Sequence, residues 1–398
     1  MKISAQTIAR HENAAPLSCD VFCQVVDNYG DIGVCWRLAR QLTLEHSFSV
    51  RLWVDELDAF QRLCPSLDPQ QAQQTQQGVE IRRWANDDDF ANVRPGNIVI
   101  EAFACPLPER FIAAMAAQNP KPVWVNLDYL SAEMWVAEYH ALPSPHPRLP
   151  LTKYFFFPGF RPDTGGLLRE NDLIERRQSY RVSHEQQLAF WQTLDQQAPS
   201  PDTLIVSLFA YENPAISYLL DTWAQNESPV CCLVPSTQSL PLLEQFAGQT
   251  LRVSQSVRRG ALEIRTIPFL AQTEYDTLLW SCDLNFVRGE DSFVRAQWAA
   301  QPMVWQIYPQ DDQAHRAKLH AFLELYCAEA PAALQQIIEE MFHAWNFPER
   351  AATLTPELWL RWQNAQSALC QHAVRWAKKQ SEQEDLCGRL VRFCRSKL

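Results

Sequence analysis

Short apolar runs recur along the chain, separated by polar segments or by stretches whose apolar positions return every three or four residues. In the first half the runs are Cys19–Val26, Val50–Val54, Val79–Trp84, Asn97–Ile100, Val123–Leu127 and Tyr154–Phe157. Continuous apolar runs bounded by turn residues read as strands, and the 3.6-period stretches between them read as helices. Such alternation predicts an α/β fold in which helices cover parallel sheets. The second half restarts at Thr203–Phe209 and continues through Val230–Val234, Leu262–Ile267, Asp283–Val287 and Met303–Ile307, repeating the first architecture. Between the halves, the Pro-rich stretch Leu142–Pro147 reads as a loop and the charged segment Arg169–Arg177 as the approach to a linker. The Gln-rich patch Gln70–Gln77 reads as an exposed loop or helix end. The expected division is a first domain over 1–180, a second over 181–360, and helices over 361–398 that pack back on the first. Two doubly wound domains facing each other make a cleft.

A chain of 398 residues is too long for one ordinary core, which agrees with two domains. No apolar run approaches the length of a bilayer span, and Met1–Thr7 lacks the apolar centre of a signal peptide, so a cytoplasmic protein is expected. The twelve cysteines contain no Cys-x-x-Cys pair and read as reduced, mostly buried thiols. A formal net charge of −11 argues against nucleic acid as a partner and is compatible with a basic protein partner.

The segment Asp27-Asn28-Tyr29-Gly30-Asp31-Ile32-Gly33 lies between the first apolar run and a helix-patterned stretch, Val34–Leu42. Strand, glycine-bearing turn and helix form the ligand corner of an α/β unit. Gly30 and Gly33 permit positive φ or close approach of a ligand, and the helix N-terminus offers free N–H groups. The plain alternative is a βα turn whose aspartates cap the helix. Two carboxylates four residues apart, with Tyr29 between them, make a catalytic corner an equal reading.

A second constellation is Arg288-Gly289-Glu290-Asp291-Ser292, between a strand ending at Val287 and a helix pattern from Phe293. Asp291 or Ser292 is the natural N-cap, so a helix N-terminus and a guanidinium converge on one spot, which can hold a diphosphate without a metal. A capped helix with surface charges is the equally plain alternative. Upstream, Phe269, Leu270, Gln272 and Tyr275 surround a strand-to-helix turn. The aromatics could sandwich a nucleobase while Gln272 reads its edge, or could simply pack the helix.

The run Asp20–Leu42, with Pro268–Tyr275 and Arg288–Phe293, closely resembles the bacterial protein-arginine rhamnosyltransferases that modify elongation factor P, and the resemblance spans nearly the whole chain in length and order. The residues ahead of Cys19 are an extension relative to that pattern. The resemblance implies a GT-B glycosyltransferase, with two Rossmann-like domains facing across a cleft. It implies dTDP-β-L-rhamnose as donor on the second domain, elongation factor P as protein acceptor on the first, inversion at the anomeric carbon, and no cofactor or metal. Carried over, Asp31 is the catalytic base, Asp27 its partner carboxylate and Glu290 the acidic residue of the donor site. Asn28, Tyr29 and Gly30 accompany the substrates. Phe269, Gln272 and Tyr275 hold thymine, Leu270 is a further substrate-binding residue, and Arg288, Gly289, Asp291 and Ser292 line the diphosphate pocket with Tyr211 near the phosphates.

Carboxylates suit this chemistry. A guanidinium is protonated and its lone pairs are delocalised, so a base must localise its electrons and take a proton as nitrogen attacks. Another GT-B enzyme, with a different nucleotide-sugar donor and a non-protein acceptor, would keep the donor corner. A non-catalytic binding protein of the same shape would have no need of Asp31.

Overall fold

A computed structural model describes residues 16–27, 29–235, 240–310 and 313–398. Its first lobe is an eight-stranded sheet built from β1 (Ser18–Cys23), β2 (Ser49–Val54), β3 (Gln73–Gln76), β4 (Val79–Arg83), β5 (Ile98–Ala102), β6 (Val123–Leu127), β7 (Pro143–Pro145) and β8 (Thr152–Phe156). Its second lobe is a six-stranded sheet of β9 (Leu204–Leu208), β10 (Val230–Pro235), β11 (Ser256–Arg259), β12 (Leu262–Ile267), β13 (Leu284–Arg288) and β14 (Met303–Gln306). The strands run in the orders β3-β4-β2-β1-β5-β6-β8-β7 and β11-β12-β10-β9-β13-β14. Among the described residues only β3, β7 and β11 pair antiparallel, each at a sheet edge.

Without those edge strands, both sheets follow the dinucleotide-binding order in which the second and third parallel strands lie on one side of the first and the later strands on the other. The chain reverses direction between β1 and β5, and again between β9 and β13. At such a switch point the loops diverge and leave a crevice beyond the carboxyl ends of the strands. β1 and β10 are almost wholly buried because helices cover both faces of each sheet.

The three edge strands depart from the sequence expectation. The Gln-rich patch forms β3, and the Pro-rich stretch contains β7. Their side chains face solvent, so neither carries an apolar run, and Pro143 and Pro145 are tolerated because the strand is an edge. Helix Leu173–Val182 spans residue 180 and packs on the second lobe, where the Tyr180 hydroxyl lies 2.5 Å from Ser281 Oγ.

The lobes are joined by buried charge. From the first helix, Gly30–His46, Arg37 reaches Asp291 at 2.7 Å and Asp276 at 3.2 Å. Arg295 binds Asp276 and Glu170, each at 2.7 Å. The two guanidiniums hold the Glu170 carboxyl far below the usual range against the opposing effect of burial. The final helix, Leu386–Arg395, crosses to the first lobe: Leu386 N donates to Leu167 O, Asp385 accepts from Gln41, and Phe393 packs on Tyr154 and Phe156.

Candidate functional site

The sequence-derived site residues gather where the two switch points face each other. From the first lobe come the β1–helix connection and the segment after β6. The second lobe supplies the ends of β9, β12 and β13. Asn28 lies outside the described residues.

β1 stops at Cys23, three residues before the apolar run ends, and the helix begins at Gly30, so Asp31 sits in the first helical turn. The N-cap is Tyr29, with no side-chain cap bond. Asp31 folds back: its Oδ2 accepts from the N–H groups of Val26 and Asp27, both at 2.8 Å, and its Oδ1 from the Tyr129 hydroxyl at 3.3 Å. Burial raises the Asp31 carboxyl above its ordinary pKa, against the lowering effect of these donors. A partly desolvated carboxylate is a stronger base than one in water.

Asp27 lies between the lobes. Its Oδ2 accepts from the Tyr211 hydroxyl at 2.6 Å, and burial raises its pKa in spite of that bond and of nearby Arg288. Gly289, at φ +61°, closes the other side; a Cβ there would come within 2.7 Å of Asp27 Oδ2 and 2.9 Å of the Tyr211 hydroxyl. Gly30 and Gly33 are both helical, and their close approaches are to Asp27 and Asp291 respectively. The glycines thus admit protein carboxylates.

A cavity of about 550 Å³ is lined by Phe209, Phe269, Leu270, Tyr275, Arg288 and Ser292, with Tyr29 and Gly30 at its first-lobe side. The Arg288 guanidinium carbon lies 4.3 Å from the Tyr211 ring centroid, 4.7 Å from that of Phe209 and 5.8 Å from that of Tyr29. Arg288 is 4% exposed, its Nη1 has no hydrogen-bond partner, and it forms no ion pair among the described residues. A buried cation with idle donors, beside a helix N-terminus whose first N–H groups lack intrahelical acceptors, is suited to an anion.

That helix is Asp291–Ala299, and its N-cap is Glu290, where the sequence favoured Asp291 or Ser292. Both favoured side chains are engaged elsewhere. Ser292 Oγ bonds back to the Arg288 backbone, and Asp291 is bound by Arg37. Gln272 lines the cavity, but its amide spans the lobes, donating to Gly33 O at 2.8 Å and accepting from Arg40 at 2.9 Å. Phe269 packs 4.7 Å from the Tyr29 ring, and the Tyr275 hydroxyl is buried.

Asp27 and Gly30 also line a second cavity of about 850 Å³, whose walls include Gly289, Asp31, Glu290, Tyr129, Trp305, Tyr308 and Lys318. Glu290 Oε2 accepts from Leu130 N at 2.9 Å. Burial pushes the Glu290 carboxyl up to about 8; nearby Asp31 adds to the rise, while the Leu130 N–H and Lys318 oppose it. One cavity thus offers a cation among aromatics, and the adjoining one offers carboxyl groups with raised proton affinity. Together they have the parts for departure of an anion and deprotonation of a nucleophile.

Sequence reasoning did not single out Tyr129, Phe209 or Lys318. Tyr129 and Phe209 each follow the carboxyl end of a central strand, β6 and β9, a signal available once the strands are ordered. Lys318 lies on helix Ala314–Cys327 and carries no local signal.

A sequence profile of the family described as elongation factor P (EF-P) rhamnosyltransferase EarP matches residues 19–395. A protein-arginine rhamnosyltransferase of Pseudomonas aeruginosa is 51% identical over 330 residues, covering 83% of this chain and 87% of that protein. One from Shewanella oneidensis is 39% identical over 368 residues, covering 89% and 91%. A solved structure described as the basis for EarP-mediated arginine glycosylation of translation elongation factor EF-P aligns over 96% of this chain and 100% of its own, with 35% identity and a TM-score of 0.68. MurG of Acinetobacter baumannii, at 13% identity and a TM-score of 0.50, shares the fold. The two facing Rossmann-like lobes are therefore those of a GT-B glycosyltransferase, and the chain belongs to the EarP family of elongation factor P rhamnosyltransferases.

Proposed function

We propose that this enzyme transfers L-rhamnose from dTDP-β-L-rhamnose to an arginine side chain of elongation factor P, with inversion at the anomeric carbon and without a metal. The observation that carries the donor half is Arg288, a buried guanidinium with an idle Nη1 inside an aromatic-lined cavity. In this reading the thymine base lies among Phe269, Leu270 and Tyr275, and the diphosphate meets Arg288 and the first turn of the helix at Asp291. Gln272 and Asp291 support the pocket from between the lobes, and Tyr211 orients Asp27 beneath Arg288.

The sugar then extends past Gly289 toward Asp31 and Glu290, where the second cavity receives the acceptor arginine. Asp31 accepts a guanidinium hydrogen, localises electron density on one nitrogen and takes the proton as that nitrogen bonds to the anomeric carbon. The bond from that carbon to the diphosphate oxygen breaks on the opposite face, and the departing electrons reside on dTDP beside Arg288. One displacement inverts the centre, and no covalent enzyme intermediate is formed. Neighbouring carboxylates also favour positive character on the sugar.

The test is intact mass spectrometry of elongation factor P after incubation with this enzyme and a panel of nucleotide sugars, with and without EDTA. A gain of one deoxyhexose on an arginine, with dTDP-rhamnose alone and undiminished by EDTA, is expected. Transfer from another donor, or transfer that stops on chelation and returns with Mg²⁺, overturns the donor or metal-free part respectively. An unmodified acceptor overturns the whole.

A further inference from the structure

Among the described residues Asp31 is held by three donors, and one of them is unlike the others. Two are backbone N–H groups of its own loop. The third is the hydroxyl of Tyr129, 98 residues away, which reaches Oδ1 at 3.3 Å. Tyr129 lines the larger cavity and is 37% exposed, so its ring faces the space beside the base.

The ring's position is set from behind. Phe103 stacks on it at a centroid separation of 4.4 Å and an interplanar angle of 17°. Phe103 and Ala104 follow β5, and both have left-handed backbones, at φ +57° and +55°. Two consecutive non-glycine residues in that region cost on the order of a kcal/mol or more each and persist only where surroundings impose them. Here Phe103 N donates to Leu127 O at 2.7 Å and Ala104 N to Asn126 Oδ1 at 3.0 Å, which ties the strained pair to β6, the strand that leads into Tyr129. The aromatic stack is thus built from the ends of two adjacent strands, one of them at the switch point.

A planar aromatic surface beside a carboxylate is what a guanidinium uses when it is recognised: the carboxylate takes its N–H groups and the ring takes its face. A cation already lies over this ring, since Lys318 Nζ is 6.0 Å from its centroid. We infer that Tyr129, backed by Phe103, is the positioning residue for the acceptor guanidinium, its hydroxyl fixing the orientation of the Asp31 carboxylate and its ring stacking the arginine in line for attack. This role rests on the proposed transfer to arginine and specifies how that substrate is held.

The hydroxyl and the ring are separable by mutation. Tyr129→Phe keeps the stack and frees Asp31 Oδ1; kcat should fall roughly tenfold or more, the loss of one hydrogen bond to a charged group, with KM for elongation factor P nearly unchanged. Tyr129→Leu removes both, so KM for the acceptor should rise severalfold in addition. Calorimetric affinity for dTDP should be the same in both variants and in wild type, because Tyr129 lies outside the nucleotide cavity. Circular dichroism melting checks that each variant folds, and Tyr129→Phe keeps the result interpretable if the leucine variant does not. Both variants within twofold of wild type in kcat and KM would overturn the inference. So would a parallel loss of dTDP affinity, which marks a general disturbance of the cleft. If the wild-type enzyme itself transfers nothing to elongation factor P, the functional reading fails first, and the two failures are distinct.

Discussion

Replacing Arg288 by methionine distinguishes an arginine kept for packing from one kept for an absent anion. In the protein as it stands the guanidinium contacts three aromatic rings, worth about 0.5–2 kcal/mol each as cation–π contacts. Against them stands the desolvation of a buried charge that has no ion pair among the described residues, a penalty of roughly several kcal/mol. Methionine fills much of the same volume and stacks on the same rings, so the two effects nearly cancel. The variant should melt within about 2 °C of wild type. Donor binding has no such cancellation. Each lost charge-assisted bond to the diphosphate removes about 1.5–3 kcal/mol, and two of them amount to a drop in dTDP affinity on the order of 10²- to 10⁴-fold. Isothermal titration with dTDP and scanning calorimetry on the same preparations measure both quantities. A variant that melts many degrees lower but binds dTDP as wild type does would show that Arg288 is packing, and would refute the anion-site reasoning.

Asp31→Asn should lower transfer by about 10²- to 10⁴-fold with dTDP affinity intact, because the amide still accepts a loop N–H but cannot take the proton; a mass-resolved time course within a few fold of wild type would exclude the role of base. Glu290 titrates near 8 in the fold and near 4.5 when unfolded, so the native protein retains a proton that the unfolded chain has lost between those values; stability therefore falls as pH rises through that window. Glu290→Gln lacks that contribution, and its melting temperature relative to wild type should increase from about pH 5 to about pH 8.5, while transfer is largely abolished; parallel pH–stability curves would contradict the assigned burial. Phe269→Ala should weaken dTDP binding by about 1 kcal/mol or more by titration, and unchanged affinity would leave its contact with Tyr29 as packing alone.

The strands that position the site were readable because they are buried on both faces, and a strand such as β12, Leu262–Ile267, has the bounds its apolar run predicts. The edge strands were not, since a half-solvated strand such as Gln73–Gln76 carries no continuous apolar run. Its hairpin signal was present in the turn: Gln77 and Gly78 both take positive φ, and a Gly after a polar residue between strands marks such a turn. The positions of Asp27, Arg288 and Glu290 at the cleft were legible because each sits within four residues of a strand end, and that of Asp31 because it opens the helix that follows. Their pairings with distant residues were not. Tyr211 reaching Asp27, Tyr129 reaching Asp31 and Arg37 reaching Asp291 join residues 184, 98 and 254 positions apart, and no local pattern encodes that pairing. The capping expectation at Asp291 and Ser292 failed for the same reason, since a distant arginine claimed one side chain and the strand end the other.

Helix Leu386–Arg395 makes the packing of the first lobe depend on a distant part of the chain. Leu386 bonds to Leu167 and Phe393 covers Tyr154 and Phe156, so the first lobe takes part of its packing from a helix that lies beyond the second lobe in sequence. Domains generally fold as units in the order they leave the ribosome. Here Tyr154, Phe156 and Leu167 of the first lobe gain these contacts only from a helix that follows the whole second sheet in the chain. The lobe that comes first in sequence is therefore not an independent folding unit, and a fragment that stops before Leu386 lacks part of its packing.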